Sequence, residues 1–273
     1  MSREVAAAVF LSAIPAAIVL RGLIWTWRSS FTFTQAILMG LAILLTRLLW
    51  RATIPRRLPL DGRQGAIVIA NHRSSIDPFF LQVIVDRPMH WMVAKEYCEH
   101  WAFAWFLRNC EVIPVSRGGV DTAATKQAIR YALDGELLGM LPEGRINVTD
   151  QFLLPARPGA AMVAIRAGVP IVPCYIDGAP YNGSAASPIF MRARVRVQFG
   201  RPIYPPELLD GESDEQRAAR FMLQSLREIA KLAGHDDFEP TLAGRRWKPS
   251  DEDVERDFEA SRRRKGRRER ERR

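Results

Sequence analysis

The chain has few of the residues that stabilise small secreted folds or hold structural metals. It contains four histidines and only three cysteines among 273 residues, namely Cys98, Cys110 and Cys174. No two cysteines have the Cys-x-x-Cys spacing, and none stands at a zinc-ligand spacing from a histidine. This odd, scattered set argues against a disulfide framework and a zinc site, and it indicates a reducing compartment. We therefore expect no bound metal.

Long hydrophobic runs are also missing. Two apolar stretches, 5–20 and 31–45, are shorter than the roughly 20 residues that cross a bilayer comfortably. We interpret residues 1–52 as two membrane-embedded or interfacial helices, with Trp25, Trp27 and Trp50 at the level of the lipid headgroups. A buried pair of core helices is the alternative. A signal peptide is disfavoured because a second apolar stretch follows directly.

Charge is distributed unevenly along the chain. The net charge is +9, and the last 13 residues hold nine basic and two acidic side chains. The rest of the chain has no basic cluster of the kind that binds nucleic acid, so we expect no nucleic-acid partner. Residues 245–273 are predicted to be a charged, disordered tail, with attraction to anionic lipids as the functional alternative. Basic residues after the second apolar stretch place the main domain on the cytoplasmic side: Arg47, Arg51, Arg56 and Arg57.

Residues 53–244 alternate between apolar runs and segments with helical periodicity. This alternation predicts an α/β domain with a mixed, mostly parallel sheet flanked by helices. The predicted strands are 66–70, 91–94, 112–115, 137–141, 169–176 and 195–199. The predicted helices are 78–85, 96–107, 120–133, 159–167 and 216–232. Pro114 indicates an edge or bulge position for its strand.

A histidine and an aspartate follow the first buried strand. Residues 71–77 read Asn-His-Arg-Ser-Ser-Ile-Asp, directly after the apolar run 66–70. Loops at the carboxyl ends of strands are where α/β folds place their sites. A histidine accepts protons near neutral pH, and a carboxylate can hold its second ring N–H. His72 and Asp77 are therefore candidates for a general base and its partner. A helix cap (Asp77) beside a surface histidine is the alternative that the pair alone leaves open.

A second polar block follows the predicted strand at 137–141. Residues 142–145 read Pro-Glu-Gly-Arg, which supplies a carboxylate, a flexible backbone and a guanidinium that can hold phosphate. Arg157 precedes the predicted helix at 159–167 and is a weaker phosphate candidate. The remaining histidines, His90, His100 and His235, are interpreted as surface or satisfied core residues. Aromatic residues within 96–107 are assigned to the core or to an acyl-binding or membrane-facing surface.

Four ordered blocks together resemble the glycerophospholipid (lysophosphatidic acid) acyltransferase family, over residues ~45–235. They are 71–77, 112–117, 142–145 and 169–173. The resemblance implies that His72 activates an acceptor hydroxyl and that Asp77 orients it. It implies a substrate-binding set made of Asn71, Arg117, Glu143, Gly144 and Arg145, with the 169–173 strand beside the acyl pocket. The donor would be an acyl-CoA or acyl-carrier-protein thioester, with no bound cofactor.

Two departures from the family pattern concern the phosphate side. The third block commonly reads Glu-Gly-Thr-Arg, whereas here Arg145 follows Gly144 at once. The second block often begins with glycine, where this chain has Glu111. The expected function is transfer of an acyl group to lysophosphatidic acid at a membrane, giving phosphatidic acid. The alternatives are another lysolipid acceptor, a lipid or thioester hydrolase, and a non-catalytic membrane adaptor. A hydrolase with a serine nucleophile elbow is disfavoured because no Gly-x-Ser-x-Gly occurs.

Overall fold

The computed structural model describes residues 29–116 and 121–244. The first apolar stretch, Trp25, Trp27, Arg117 and the basic tail lie outside the described residues. The helices are α1 Phe33–Leu44, α2 Asp77–Gln82, α3 Lys95–Glu99, α4 Ala104–Asn109, α5 Thr122–Leu133, α6 Gly159–Ala167 and α7 Asp214–Leu232. A π-helical segment, Leu45–Leu49, continues α1, and a 3-10 turn spans Ser187–Phe190.

Six strands form one sheet in the order β3-β2-β4-β1-β5-β6. They are β1 Ala66–Ala70, β2 Met89–Ala94, β3 Ile113–Val115, β4 Leu137–Met140, β5 Ile171–Asp177 and β6 Arg196–Phe199. All neighbouring strands are parallel except β5 and β6, which are antiparallel. The prediction of a mixed, mostly parallel sheet is confirmed, and Pro114 lies on the edge strand β3 as expected.

Strand β1 occupies the centre of the sheet and is buried along its whole length. One face of the sheet is covered by α5, α6 and α7, whose apolar residues pack on Ile67, Ile69 and Leu138. The opposite face packs against α2 and the chain around Trp50, with Val68 and Ala70 in contact. A strand buried on both faces needs apolar residues at every position, and 66–70 has them.

Helix α1 is docked onto the domain at its first turn. Thr32 and Gln35 form a reciprocal capping box, which satisfies two backbone N–H groups at the helix start. The Gln35 amide also donates to the Asn109 carbonyl and to a Glu111 carboxylate oxygen, both at 2.9 Å. Glu111 therefore faces the N-terminal helix, and this contact gives a structural use to the carboxylate that departs from the family pattern.

The outer face of α1 is apolar and exposed to solvent. Gln35, Met39, Ala42 and Thr46 pack inward along one side. The opposite side exposes large apolar side chains at helical spacing: Phe33, Ile37, Leu41, Leu44 and Leu48. Among the described residues, no helix has the length and apolar character needed to cross a membrane.

Three local expectations are wrong. Trp50 is fully buried rather than at headgroup level, because its ring packs on Phe79 and Phe80 and its N–H donates to the Pro188 carbonyl at 3.0 Å. The helix predicted at 96–107 is two short helices separated by a turn around His100. Asp77 is not the helix cap that the alternative interpretation makes it, since Ile76 holds that position in α2 and the Asp77 carboxylate accepts the N–H groups of Arg73 and Ser74.

Candidate active site

The loop after β1 brings His72 and Asp77 together. His72 Nδ1 lies 3.0 Å from Asp77 Oδ2. A carboxylate only accepts, so the geometry places the proton on Nδ1 and leaves Nε2 of the neutral ring as a base. His72 is partly exposed, whereas Asp77 is completely buried. This arrangement lets the ring meet a substrate while its partner stays out of water.

The Asp77 carboxylate also organises the loop that carries it. Oδ2 accepts the backbone N–H groups of Arg73 and Ser74, each at 2.8 Å, in addition to the His72 ring. The Ser74 hydroxyl donates to the Pro180 carbonyl at 2.5 Å, which ties the loop to the segment after β5. One carboxylate therefore fixes both the path of the loop and the orientation of the imidazole.

The backbone of His72 is held on both sides by the segment that follows β4. Its N–H donates to Glu143 Oε1 at 2.7 Å, and its carbonyl accepts the Asn147 N–H at 2.7 Å. The second Glu143 oxygen accepts the Leu154 N–H at 2.9 Å. Glu143, predicted as a substrate ligand, thus connects the two strand-end loops, and a direct contact with substrate stays a prediction.

Burial dominates the electrostatics of Glu143. The residue is 1% exposed, and burial raises the pKa of its carboxyl group above the ordinary value. The N–H groups of Leu154 and His72 oppose this shift because they stabilise the charged form.

Asn71 makes a complementary pair of bonds with β5. Its amide donates to the Ile176 carbonyl and its oxygen accepts the Ile176 N–H, both at 2.8 Å. Both ends of the side chain are used in fastening β1 to β5 just before His72. A contact of Asn71 with substrate, also predicted, is untested by this geometry.

The predicted phosphate side lies in the tight turn after β4. Gly144 adopts a φ of +69°, a conformation that favours glycine, and a Cβ there would come within 3.8 Å of Arg157 Nε. Arg145 follows in the same turn and is half-buried. The turn therefore brings Arg157, the weaker candidate, beside Gly144 and Arg145. Arg117 lies outside the described residues.

A cavity of about 440 Å³ opens beside the loop, at the carboxyl ends of β1 and β5. Its walls include Arg73, Asn147, Thr149, Tyr175 and Tyr181. Burial raises the pKa of both tyrosine hydroxyls, so both stay protonated at neutral pH. Within residues 29–116 and 121–244, no group of three or more His, Cys, Asp or Glu side chains could hold a metal ion.

The other histidines have partners of a different kind. His90 is a satisfied core residue, since its Nδ1 is 3.0 Å from the Glu111 carbonyl and its ring stacks on Tyr131 at 3.8 Å. His100 accepts the Ala102 N–H in an exposed turn, and His235 packs on Phe152. None of the three has a buried carboxylate partner like that of His72 in the described structure.

Arg73 and Asn147 were missed by the sequence reasoning. The contacts that connect them are between the Arg73 guanidinium and carbonyls more than 70 residues further along, and between the Asn147 N–H and the His72 carbonyl. Backbone partners at such a distance leave no signal in residue type or spacing. The available indication was position alone, since Arg73 lies within the first block and Asn147 lies two residues after the third.

Comparisons with known proteins bear on the family of this chain. Residues 51–177 match the family model described as Acyltransferase. The chain is 27% identical over 176 residues to the 1-acyl-sn-glycerol-3-phosphate acyltransferase of Bacillus subtilis, covering 64% of this chain and 82% of that protein. It is 28% identical over 184 residues to the Streptococcus pneumoniae protein of the same name, covering 65% of this chain and 66% of the relative.

The fold is also shared with a solved structure. The crystal structure of the 1-acyl-sn-glycerophosphate acyltransferase from Thermotoga maritima aligns with a TM-score of 0.56 and 20% sequence identity. The alignment covers 82% of this chain and 93% of that one. At this identity the likeness supports the α/β architecture.

Proposed function

Because the chain belongs to the glycerophospholipid acyltransferase family, we propose that it transfers a fatty acyl group to the free hydroxyl of lysophosphatidic acid, giving phosphatidic acid. The donor is an acyl thioester of coenzyme A or of acyl carrier protein. The observation that carries the proposal is the His72–Asp77 pair at the end of the central strand. The names of the curated relatives support the choice of acceptor.

The proposed chemistry is direct transfer with His72 as general base. Nε2 takes the proton of the acceptor hydroxyl as the oxygen attacks the thioester carbonyl, so a C–O bond forms and the C–S bond breaks. Asp77 stabilises the imidazolium formed in this step. The imidazolium then returns the proton to the departing thiolate. The thioester is already activated, so the proposed step uses no metal.

Cations near the turn after β4 are the proposed phosphate ligands. Arg157 Nε would lie 3.8 Å from a Cβ on Gly144, and Arg145 is the next residue in the turn. Guanidinium groups bind phosphate oxygens through paired N–H bonds, and a flexible glycine lets the ligand approach the main chain. Arg117 completes this proposed set on the basis of the family resemblance alone.

A membrane surface is the proposed location, with the catalytic domain on the cytoplasmic side. The exposed apolar face of α1 is suited to one leaflet of a bilayer, since each large apolar side chain removed from water contributes roughly 1.5–3 kcal/mol. Trp101 is 87% exposed and Trp105 61% exposed. Trp105 lies one helical turn before Asn109, the residue that α1 contacts through Gln35. We include both tryptophans in the membrane-facing surface because tryptophan favours the headgroup region.

Product analysis tests the proposed function. Purified full-length chain in anionic vesicles would receive a panel of lysophospholipids with either acyl-CoA or acyl-carrier protein. We expect a diacyl product with lysophosphatidic acid as the best acceptor. Free fatty acid alone would mean hydrolysis and contradict transfer, and preference for another lysolipid would correct the acceptor. Absence of any turnover with every pair would favour the adaptor alternative.

A further inference from the structure

Arg73 makes a set of contacts that the proposed chemistry does not use directly. Its guanidinium donates four hydrogen bonds to backbone carbonyls of one short loop. The acceptors are Asn147 at 3.1 Å, Thr149 at 2.8 Å, Gln151 at 2.7 Å and Phe152 at 3.2 Å. An arginine whose planar group is shared among four carbonyls holds those carbonyls in a fixed arrangement.

The same residue is joined to the proposed catalytic pair through its backbone. The Arg73 N–H donates to Asp77 Oδ2 at 2.8 Å, on the carboxylate oxygen that also meets the His72 ring. Arg73 therefore contacts the Asp77 carboxylate through its main chain and the 147–152 loop through its side chain, so it links the two.

The 147–152 loop returns to His72. The Asn147 N–H donates to the His72 carbonyl at 2.7 Å. The Asn147 side chain is buried and closes the loop on itself: its oxygen accepts from Thr149 and its amide donates to the Gln151 carbonyl. With Arg73 in place, this loop is held against the main chain of His72. It also forms one wall of the cavity beside the site.

We propose that Arg73 is a positioning residue for acyl transfer. By fixing the 147–152 loop against the His72 carbonyl, it sets the position of the imidazole relative to the substrates. The residue is distinct from the phosphate ligands because its guanidinium is already occupied by carbonyl oxygens. The proposal rests on the acyltransferase function proposed above. Arg73 is not among the catalytic or substrate-binding residues that the family resemblance implies.

The test compares three arginine variants. Arg73→Met removes the four hydrogen bonds while keeping an unbranched side chain. Arg73→Lys keeps the cation but reaches fewer carbonyls. Arg217→Met is the matched control, because Arg217 also donates to a backbone carbonyl, that of Pro206, and neither residue lines the cavity. The readouts are kcat and KM per folded protein, and hydrogen exchange at the amides of residues 147–152.

For Arg73→Met we expect kcat to fall at least about tenfold while KM for both substrates changes less than about threefold, because base placement affects the transition state more than ground-state binding. Arg73→Lys should lie between that variant and the parent protein. Exchange at 147–152 should accelerate in the same order. The control should leave all three quantities unchanged.

Retention of kcat in Arg73→Met would overturn the proposal. A loss of activity that is fully explained by a smaller fraction of folded protein would also overturn it. If Arg73→Met does not fold, Arg73→Lys decides, since parental kcat and exchange in that variant would overturn it. Should the parent protein show no acyl transfer, the proposed function fails. The exchange comparison still reports whether Arg73 holds the loop, so the two failures are distinguishable.

Discussion

His72 Nδ1 lies 3.0 Å from Asp77 Oδ2, and the main chain of the histidine is bonded on both sides by the segment after β4. The ring is thus oriented by a carboxylate five residues away and located by a segment about seventy residues away. A general base has to lie within hydrogen-bond reach of the proton that it abstracts, and these two sets of contacts fix the position of the ring.

Removing either member of this pair should stop acyl transfer while leaving the fold intact. We expect His72→Ala to lower kcat by about 10²–10⁴-fold, the usual contribution of a general base, with Asp77→Asn less severe or comparable. The measurement is diacyl lipid formed per minute from an acyl thioester. His100→Ala is the control, since His100 lies in an exposed turn. Near-parental turnover in His72→Ala would refute the mechanism.

Glu143→Gln should weaken both stability and catalysis. The amide keeps one accepting oxygen but turns an NH2 group toward a backbone N–H, so either His72 or Leu154 loses its acceptor. A buried donor left without a partner costs about 1–3 kcal/mol of unfolding free energy. Urea denaturation and kcat measure the two effects. Equal stability of both proteins would show that the carboxylate is dispensable as a connector.

The same substitution predicts a pH dependence with a definite sign. Because the pKa of Glu143 is raised on folding, the folded protein binds this proton at a higher pH than the unfolded chain. Stability from this group therefore increases as pH falls through that range. The unfolding free energy of the parent minus that of Glu143→Gln should be larger at about pH 5 than at about pH 8. A difference that grows with pH would contradict the assigned burial.

A methyl group at Gly139 should be poorly tolerated. A Cβ on this β4 residue would enter the ring of Trp91, which is itself buried on the neighbouring strand. Overpacking of this kind costs about 1–3 kcal/mol. Gly40→Ala in α1 is the matched control, since nothing lies within 4 Å of its added Cβ, and it should be neutral or stabilising. Urea denaturation compares the two, and equal effects would contradict the packing argument.

The ion pair between Arg220 and Glu212 should support stability only above acidic pH. Charged hydrogen bonds from Arg220 lower the pKa of Glu212 to about 2. The stabilisation is present above the ordinary glutamate pKa and is lost as pH falls through the lowered value. Glu212→Gln should therefore reduce the melting temperature at about pH 7 and less so at about pH 3. Glu239→Gln, in a more exposed pair, serves as control. A deficit that is unchanged between the two pH values would contradict the assignment.

Charges on the outer face of α1 should release the protein from lipid. The double variant Ile37→Lys, Leu41→Lys places two cations on the exposed apolar side. We expect vesicle binding to fall at least about tenfold, measured by co-sedimentation with zwitterionic vesicles, to which the added lysines gain no electrostatic attraction. Leu133→Lys on α5 is the control, because Leu133 is equally exposed but lies on a different helix. Unchanged binding of the double variant would rule out this face as the contact.

Parts of the fold followed directly from local pattern. Strand β1 and helix α6 match their predicted bounds, since one is an uninterrupted apolar run and the other ends at Gly168, whose φ of +66° terminates a helix. The break between α3 and α4 was not predictable, because the aromatic residues continue through it without a proline or glycine. Tertiary packing overrides the local helix propensity at this break.

In the site, too, local pattern predicts some features and others depend on the tertiary fold. His72 and Asp77 could be predicted as a pair because they lie five residues apart after an apolar strand, in a block that resembles the family. The bonds from Glu143 and Asn147 to the His72 backbone depend on β4 lying beside β1, a neighbour relationship that residue order does not reveal. The prediction for Trp50 was wrong for a related reason. A tryptophan at the end of an apolar stretch is typical of the lipid headgroup region, and the hydrogen bond from its N–H to the Pro188 carbonyl depends on the fold.

The central place of β1 also has a consequence for synthesis of the protein. The residues that hold the His72 loop arrive late: Glu143 is 71 positions further along, and Ile176, which bonds Asn71, is 105 positions further along. In a nascent chain, His72 is therefore synthesised long before the residues that fix its position. With His72 as the base, we expect acyl transfer to begin only after β5 has joined the sheet, and truncated chains that end before that strand to be inactive.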